Sequence, residues 1–339
     1  MSGGGAQSAV IGATGDAPEY EPYLVAIGAV QGVSDAVLGS MDWCPITNLH
    51  IANEAYEWEL GMARTALDSE TQTLSDALSV QFATYINALG LQDEQGNPLF
   101  LEQSADGLYH AGSYYDYIKT VIETSLNNFL HDTTFPYNPA EQKAALDQKM
   151  LATMPMMMGR GEKPNGKPDG MGQKQGAPDF AQLDNVQRNE TVGGVTLAGT
   201  YNTVEDYIDA LNANGAWVTY DKATNTASIS SVRDFMCAVK LPSKNVGAFD
   251  DLNRTQGENT LFGYNASRPA KYWRIRTGIF QGDTALSTEV DYTLALLHYG
   301  NEVASVDFAT VWGLGHVEAE RTGATTPNFI AWVNECLAQ

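Results

Sequence analysis

Cysteine, basic side chains and long apolar runs are all scarce in this sequence of 339 residues. The three cysteines are widely spaced and odd in number, which fits neither a disulfide framework nor a metal-ligand pattern: Cys44, Cys237 and Cys336. No run approaches the roughly 20 apolar residues that span a bilayer. The opening residues 1–6 also lack the basic and apolar regions of a signal peptide. We therefore expect idle thiols, no metal or cofactor and no membrane partner.

The charge balance is strongly acidic. Lysine and arginine number 19 against 41 acidic residues, which gives a net charge of −22 and a pI near 4.4. Because such a field repels phosphate backbones, it argues against a nucleic-acid partner. Hydrophobic residues make up 43% of the chain, enough to form a core, and the length suits one large domain with an insertion or two modest domains.

Hydrophobic periodicity predicts a helix directly after the glycines at the start, a second helix around 23–30 and a short buried strand over 41–46. The middle of the chain is predicted to be mainly helical, with one hairpin over 217–229. Its predicted helices span 52–58, 74–89, 114–129 and 204–213. The tract 147–180 is dominated by Gly, Lys, Pro, Asp and Gln, which predicts a flexible insertion.

The last seventy residues alternate between strand and helix. The predicted elements are a strand over 271–278, a helix over 287–299, a strand over 306–312 and a helix over 328–338. Strand, helix, strand and helix at these lengths indicate a parallel sheet and an α/β fold.

Ser2 and His316 are the candidate nucleophile and base of a serine hydrolase. Such an enzyme needs a serine on a sharp strand-to-helix turn, a histidine, and a carboxylate that fixes the histidine tautomer. In the α/β-hydrolase fold these follow in the order Ser, Asp or Glu, His. Residues 2–6, Ser-Gly-Gly-Gly-Ala, supply the serine and glycines that permit close packing, and His316 follows a predicted strand near the end of the chain.

The candidate acid is Asp283, in the loop after the preceding strand. It stands 33 residues before His316 (316 − 283), which leaves room for one helix and one strand. Glu289 and Asp291 are alternatives within the predicted helix. Asp283 could equally serve as the N-cap of that helix.

Several segments together resemble the bacterial tannase and feruloyl-esterase-like group of α/β-hydrolases. The resemblance runs over most of the chain outside 147–180, and it is the joint order of these segments that is specific. They are SGGGAQSA at 2–9, CPIT at 44–47, AFDD at 248–251, ENTLFG at 258–263, RIRTG at 274–278 and WGLGH at 312–316.

The resemblance implies hydrolysis of aromatic acid esters, with Ser2 as nucleophile, His316 as base and the N–H of Gly3 in the oxyanion hole. Tannases hold phenolic hydroxyls with a lysine, a glutamate and an aspartate, which correspond here to Lys244, Glu258 and Asp283. The tannase triad acid stands two residues before that aspartate, where this chain has Gln281. Either Asp283 serves as the acid or the triad is incomplete.

The same resemblance implies the C-terminal part of an α/β-hydrolase fold, truncated at the nucleophile. Residues 1–47 and 269–339 would form the core, and 48–268 a mainly helical cap or lid. An exposed apolar edge of the sheet is then expected. Two other functions stay open: a prolyl-oligopeptidase-like serine peptidase, and a catalytically dead remnant that binds without cleaving. Localisation and oligomeric state are not predicted.

Overall fold

The computed structural model describes residues 1–65, 67–141, 191–192, 195–239, 267–300, 302–316 and 318–339. Its first part holds helices α1 (Gly3–Ala13) and α2 (Glu21–Ala26) and strand β1 (Gly39–Trp43). The middle holds the helices α3 (Ala52–Leu60), α4 (Ser69–Leu89), α5 (Ser113–Asp132), α6 (Val204–Leu211) and α7 (Val232–Val239). Two small antiparallel pairs lie among them, β2 (Thr191–Val192) with β3 (Val195–Thr196) and β4 (Val218–Asp221) with β5 (Thr226–Ile229).

The last part contains β6 (Tyr272–Gly278), α8 (Leu286–Leu297), β7 (Ser305–Val311) and α9 (Thr325–Ala338). Strands β1, β6 and β7 form one parallel sheet in the order β1-β6-β7. Gly39 pairs with Tyr272, which in turn pairs with Ser305. The predicted α/β class with a parallel sheet is therefore confirmed.

Alternate side chains of the sheet enter two different cores, as the two-residue period of a strand requires. Tyr272 packs with Trp332 and Cys336 of α9 on one face. The next residue, Trp273, packs with Ala9 and Ala13 of α1 and with Tyr292 of α8 on the other. Helices thus cover both faces of the sheet, which places the ends of β6 and β7 between α8 and the middle helices.

The middle helices share a larger core that also takes in residues just beyond the strand ends. It joins side chains of α3, α4, α5, α6 and α7 to Ile279, Phe280 and Trp312. Phe280 and Trp312 meet edge to face, with ring centroids 4.9 Å apart. Contacts of this kind attach the mainly helical segment to the edge of the sheet where β6 and β7 end. The limits proposed for core and cap, at 47/48 and 268/269, stay predictions, and the tract 147–180 lies outside the described residues.

Strand β1 lies at one side of the sheet as described, and the residues before it expose many apolar side chains. Those more than half exposed are Val10, Ile11, Tyr23, Val25, Ile27, Val30 and Val33. No helix within the described ranges is long and apolar enough to cross a membrane. The three cysteines are free thiols: Cys44 and Cys336 are buried and Cys237 is exposed.

Candidate active site

Ser2 stands directly before helix α1, and its backbone lies beside the end of strand β1. Its N–H donates to the carbonyl oxygen of Trp43 at 3.2 Å, and it forms an isolated parallel bridge with Pro45. Its backbone has φ 56° and ψ −128°, a combination that is costly for a residue with a Cβ atom. A strained serine at the start of a helix, beside the end of a parallel strand, is the arrangement found on the helix side of a nucleophile elbow.

The glycines after Ser2 do not all serve the same purpose. A Cβ atom at Gly5 would lie 2.7 Å from the carbonyl oxygen of Trp43, so α1 can approach β1 only with glycine there. At Gly3 and Gly4 a Cβ atom would meet nothing within 4 Å. The close approach expected of the glycines is thus found at Gly5. The N–H of Gly3 lies in the first turn of α1, where donors have no acceptor within the helix.

His316 lies in the loop after β7, half-buried, five residues beyond Val311 (316 − 311). Gly278, at the end of β6, makes room for this loop, because a Cβ atom there would lie 2.5 Å from the carbonyl oxygen of Leu314 and closer still to that of Gly315. The backbone bond from Phe280 N–H to Leu314 at 2.9 Å also holds the loop. These contacts fix His316 at the edge of the sheet where the parallel strands end.

The turn of Ser2 and the loop of His316 meet at Cys44. This buried residue precedes Pro45, which pairs with Ser2, and its sulfur lies 4.0 Å from the carbonyl oxygen of Gly315. The hydroxyl of Ser2 makes no hydrogen bond to any described residue, so the predicted bond to His316 is not formed here. Such bonds are often long without substrate and tighten when it binds.

Gln281 makes the contact expected of the triad acid. Its Oε1 lies 2.6 Å from Nδ1 of His316, and the side chain is 2% exposed. Asp283, two residues on, is exposed and has no hydrogen bond or ion pair with a described residue. The N-cap of α8 is Ala285, so Asp283 does not cap that helix either. The structure thus brings together His316 and Gln281, not His316 and Asp283.

Behind Gln281 lies a fully buried carboxylate, Glu289 of α8. Nε2 of Gln281 donates to Oε1 of Glu289 at 2.8 Å and to the hydroxyl oxygen of Thr277 at 2.7 Å. The Thr277 hydroxyl in turn donates to the same Glu289 oxygen at 2.9 Å. Neither Thr277 nor Glu289 has accessible surface. Sequence spacing offered Glu289 as an alternative acid, and the structure places it one side chain away from His316.

A second carboxylate, Glu320, anchors the chain beyond His316. It accepts from Nε1 of Trp43 at 3.1 Å, from Arg274 at 3.2 Å and from Asn328 at 3.0 Å. These donors come from β1, β6 and α9, so one side chain ties the histidine loop to the sheet and to the last helix. No sequence pattern pointed to Glu320, because its partners lie far apart along the chain.

Two residues predicted to bind substrate, Lys244 and Glu258, lie outside the described residues. The remaining four histidines have surroundings of their own: His50 is half-buried with a pKa lowered by burial, and His110 lies against the carbonyl of Trp58 at 3.2 Å. His131 and His298 contact Asp132 and the carbonyl of Asp93.

One cavity of ≈ 780 Å³ opens beside α1 and α2, and its walls include neither Ser2 nor His316. It is lined by Ala6, Ala9, Val10, Tyr20, Tyr23, Ile46, His50 and Tyr292, among others. Within the described ranges no three His, Cys, Asp or Glu side chains are grouped as metal ligands would be. The cavity and the candidate catalytic side chains are therefore separate features of the surface.

No protein-family model and no curated protein matches the sequence. Solved structures do match. The native tannin acyl hydrolase of Lactobacillus plantarum superposes with a TM-score of 0.52 at 22% identity, covering 99% of this chain and 64% of that one. The tannase of Fusobacterium nucleatum gives 0.51 at 22% identity, covering 99% and 66%.

The chain shares the fold of bacterial tannases. A tannin acyl hydrolase in complex with ethyl gallate matches over the whole of this chain, at a TM-score of 0.51 and 22% identity. The chain spans 64% of the length of that protein. At this level of identity the likeness establishes the tannase fold, and the chemistry has to be argued from this chain's own side chains.

Proposed function

We propose that this chain carries the catalytic side chains of a serine ester hydrolase that acts on esters of phenolic acids. The observation that carries the proposal is the backbone of Ser2, held at φ 56° directly before α1 and next to Trp43 and Pro45, which flank the Cys44 that contacts the histidine loop. Such strain persists only where the surrounding structure enforces it, and it is typical of catalytic sites. In an α/β-hydrolase fold, the start of a helix that packs beside the end of a parallel strand is where the nucleophile belongs.

The proposed mechanism is two-step acyl transfer. Nε2 of His316 takes the proton of the Ser2 hydroxyl as its oxygen attacks the ester carbonyl. The N–H of Gly3 donates to the oxyanion that forms. His316 then gives its proton to the leaving alcohol, and water, activated by the same histidine, releases the acid. Gln281 holds Nδ1 of His316 during both steps, which is the role predicted for Asp283.

The proposed substrate class follows from the fold and from the residues predicted to bind it. Structures of the same fold hold ethyl gallate and 3,4-dihydroxybenzoate. The exposed carboxylate of Asp283, two residues from Gln281, is available to accept a hydrogen bond from a phenolic hydroxyl. We propose Lys244 and Glu258 as further binding residues of the segment 48–268, which would act as the lid over the substrate.

A fluorophosphonate probe tests the proposal on the full chain. It should form one covalent adduct, located on Ser2 by peptide mass spectrometry, and Ser2→Ala should abolish it. Ser8→Ala, six residues along α1, is the matched control, because the Ser8 hydroxyl contacts Ser40, the carbonyl of Met41 and Asp42, none of which is a candidate catalytic residue. An adduct that persists in Ser2→Ala would overturn the assignment of the nucleophile.

Assays with different substrates distinguish the proposed ester hydrolase from a serine peptidase and from a binding protein. An ester hydrolase of the proposed kind cleaves ethyl gallate or ethyl ferulate, whereas a serine peptidase prefers peptide anilides. A third result, binding of phenolic esters without turnover, is favoured by one observation, the neutral Gln281 in the place of a carboxylate. Calorimetric titration with ethyl gallate alongside the turnover assay distinguishes that binding protein from an enzyme.

A further inference from the structure

A continuous buried hydrogen-bond chain runs from His316 into the interior. It passes from Nδ1 of the imidazole to Oε1 of Gln281 at 2.6 Å, and from Nε2 of Gln281 to Oε1 of Glu289 at 2.8 Å. Thr277 bridges Gln281 and Glu289 from the side, at 2.7 Å and 2.9 Å. The three residues behind the histidine are at most 2% exposed, so water cannot substitute for any of these contacts.

This chain determines which way the Gln281 amide faces. Oε1 of Glu289 already accepts from the hydroxyl of Thr277, so the group of Gln281 beside this oxygen has to be the NH₂. The amide oxygen is then left facing His316, and an oxygen can only accept. Nδ1 of His316 must therefore carry the proton, and Nε2 is left with the lone pair that a general base needs. Without Glu289, the amide could present either end to the histidine.

The orientation matters because an amide hydrogen-bonded to a catalytic histidine can hold the imidazole in the tautomer that cannot act as a base. In a serine protease, replacing the triad aspartate by asparagine lowers kcat about 10⁴-fold, since the amide selects the wrong imidazole tautomer. Gln281 would have the same effect if its NH₂ group faced His316. The buried Oε1 of Glu289 on the far side of the amide prevents this, because turning the amide would place its oxygen against that Glu289 oxygen.

We propose that Glu289 is a positioning residue for His316 that acts through Gln281, so that Gln281 and Glu289 together perform the part of a triad carboxylate. The proposal rests on the proposed esterase function. As Nε2 takes the proton of Ser2, the Nδ1–H of the imidazolium donates to Oε1 of Gln281, whose NH₂ group is held by Oε1 of Glu289. No proton leaves Nδ1, so the chain orients and stabilises the imidazolium without relaying a proton.

The tautomer of His316 tests the proposal without any substrate. In the full chain labelled with ¹⁵N-histidine, His316→Gln assigns the signals of His316 by their loss. At a pH high enough that these signals no longer change, the two nitrogen shifts should show the proton on Nδ1. Glu289→Gln should move the population towards the Nε2–H form. A wild-type His316 protonated on Nε2 would overturn the proposal, whether or not the Glu289 variant folds.

Kinetics on ethyl gallate give the second test. Glu289→Gln should lower kcat about 10²-fold with little change in KM, because general-base catalysis depends on the correct protonation site. In a Gln281→Asp background, a carboxylate contacts His316 directly, so the same Glu289 change should cost less than about threefold. Equal losses in both backgrounds would mean that Glu289 does not act through Gln281.

Asp291→Asn is the matched control, since it replaces another fully buried carboxyl group of α8 by an amide, and Asp291 bonds to Tyr114 and not to Gln281. It should leave kcat and the His316 tautomer unchanged. A wild-type chain without any esterase activity would contradict the proposed function alone, because the tautomer measurement would still decide the role of Glu289.

Discussion

Glu289 and Asp291 are two fully buried carboxyl groups on one helix, and they bond to different parts of the molecule. Oε1 of Glu289 accepts bonds from Gln281 and Thr277, at the edge of the sheet where His316 lies. Oδ1 of Asp291 accepts only from the hydroxyl of Tyr114 in α5, at 2.7 Å, and its Oδ2 has no partner among the described residues. Burial raises the pKa of Asp291 to about 8, with a smaller contribution from the charge of Glu59.

Helix geometry explains the contrast. Two residues apart on an α-helix, side chains point about 200° away from each other, so α8 presents one carboxylate to the sheet edge and the other to the middle helices. We infer that the Glu289 side of α8 serves chemistry and the Asp291 side serves packing. Changes on the first side should alter turnover at nearly constant stability, and changes on the second should do the reverse.

The largest effect is expected from His316→Gln. Ester turnover should fall about 10³-fold or more, because general base and general acid are lost together. The free energy of unfolding should change by about 1 kcal/mol, since one side-chain hydrogen bond to Gln281 is lost. Steady-state kinetics and denaturant titration check both numbers. A large loss of stability would mean that His316 serves packing and not turnover.

Gly5→Ala should lower both the stability of the fold and the reactivity of Ser2, because it acts on the backbone that holds Ser2. The new Cβ atom would lie 2.7 Å from the Trp43 carbonyl and 3.1 Å from Cα of Pro45, so α1 must move away from β1. We expect a loss of about 1–3 kcal/mol in the free energy of unfolding and a parallel loss of labelling at Ser2.

Gly4→Ala is the matched control for Gly5→Ala, since its Cβ atom meets nothing within 4 Å and alanine favours the helix. Thermal unfolding should show equal or higher stability for Gly4→Ala. If both variants lose stability equally, close packing of α1 against β1 is not what requires glycine at position 5.

The contrast between Glu289 and Asp291 also shows what could not be predicted from the sequence. The periodicity placed the predicted helix 287–299 within two residues of α8 and the strand 306–312 within one of β7. Chain order put His316 in the loop after a strand. Spacing could not distinguish Asp283, Glu289 and Asp291, because the choice among them depends on how α8 is rotated against the sheet. Rotation is set by packing from α5 and β6, which are distant in sequence.

Tyr114→Phe should weaken the packing side of α8 by about 1–2 kcal/mol. The change removes the hydroxyl that donates to Asp291 and leaves its buried carboxyl without that bond. Tyr114 is fully buried and the phenyl ring can keep its place, so the loss reports the hydrogen bond and not a cavity. Denaturant titration measures the stability, and turnover of ethyl gallate should stay within about threefold of the wild type. A selective loss of turnover would show that the two sides of α8 are coupled.

The most direct test of the packing side is the pH dependence of Asp291→Asn. The pKa of Asp291 rises from an ordinary 3.8 to about 8 on folding, so between these values the folded chain holds a proton that the unfolded chain has released. Stability then falls as pH rises through this window, by up to about 1.4 kcal/mol per pH unit. Asp42 adds a slope of the same sign, but burial raises its pKa only to about 6. Between pH 6.5 and 8 the slope of the wild type should therefore come mainly from Asp291, and Asp291→Asn should flatten it in thermal unfolding series. An unchanged slope would mean that Asp291 is ionised in the folded chain, and that Tyr114 stabilises a buried charge where we infer a neutral carboxyl.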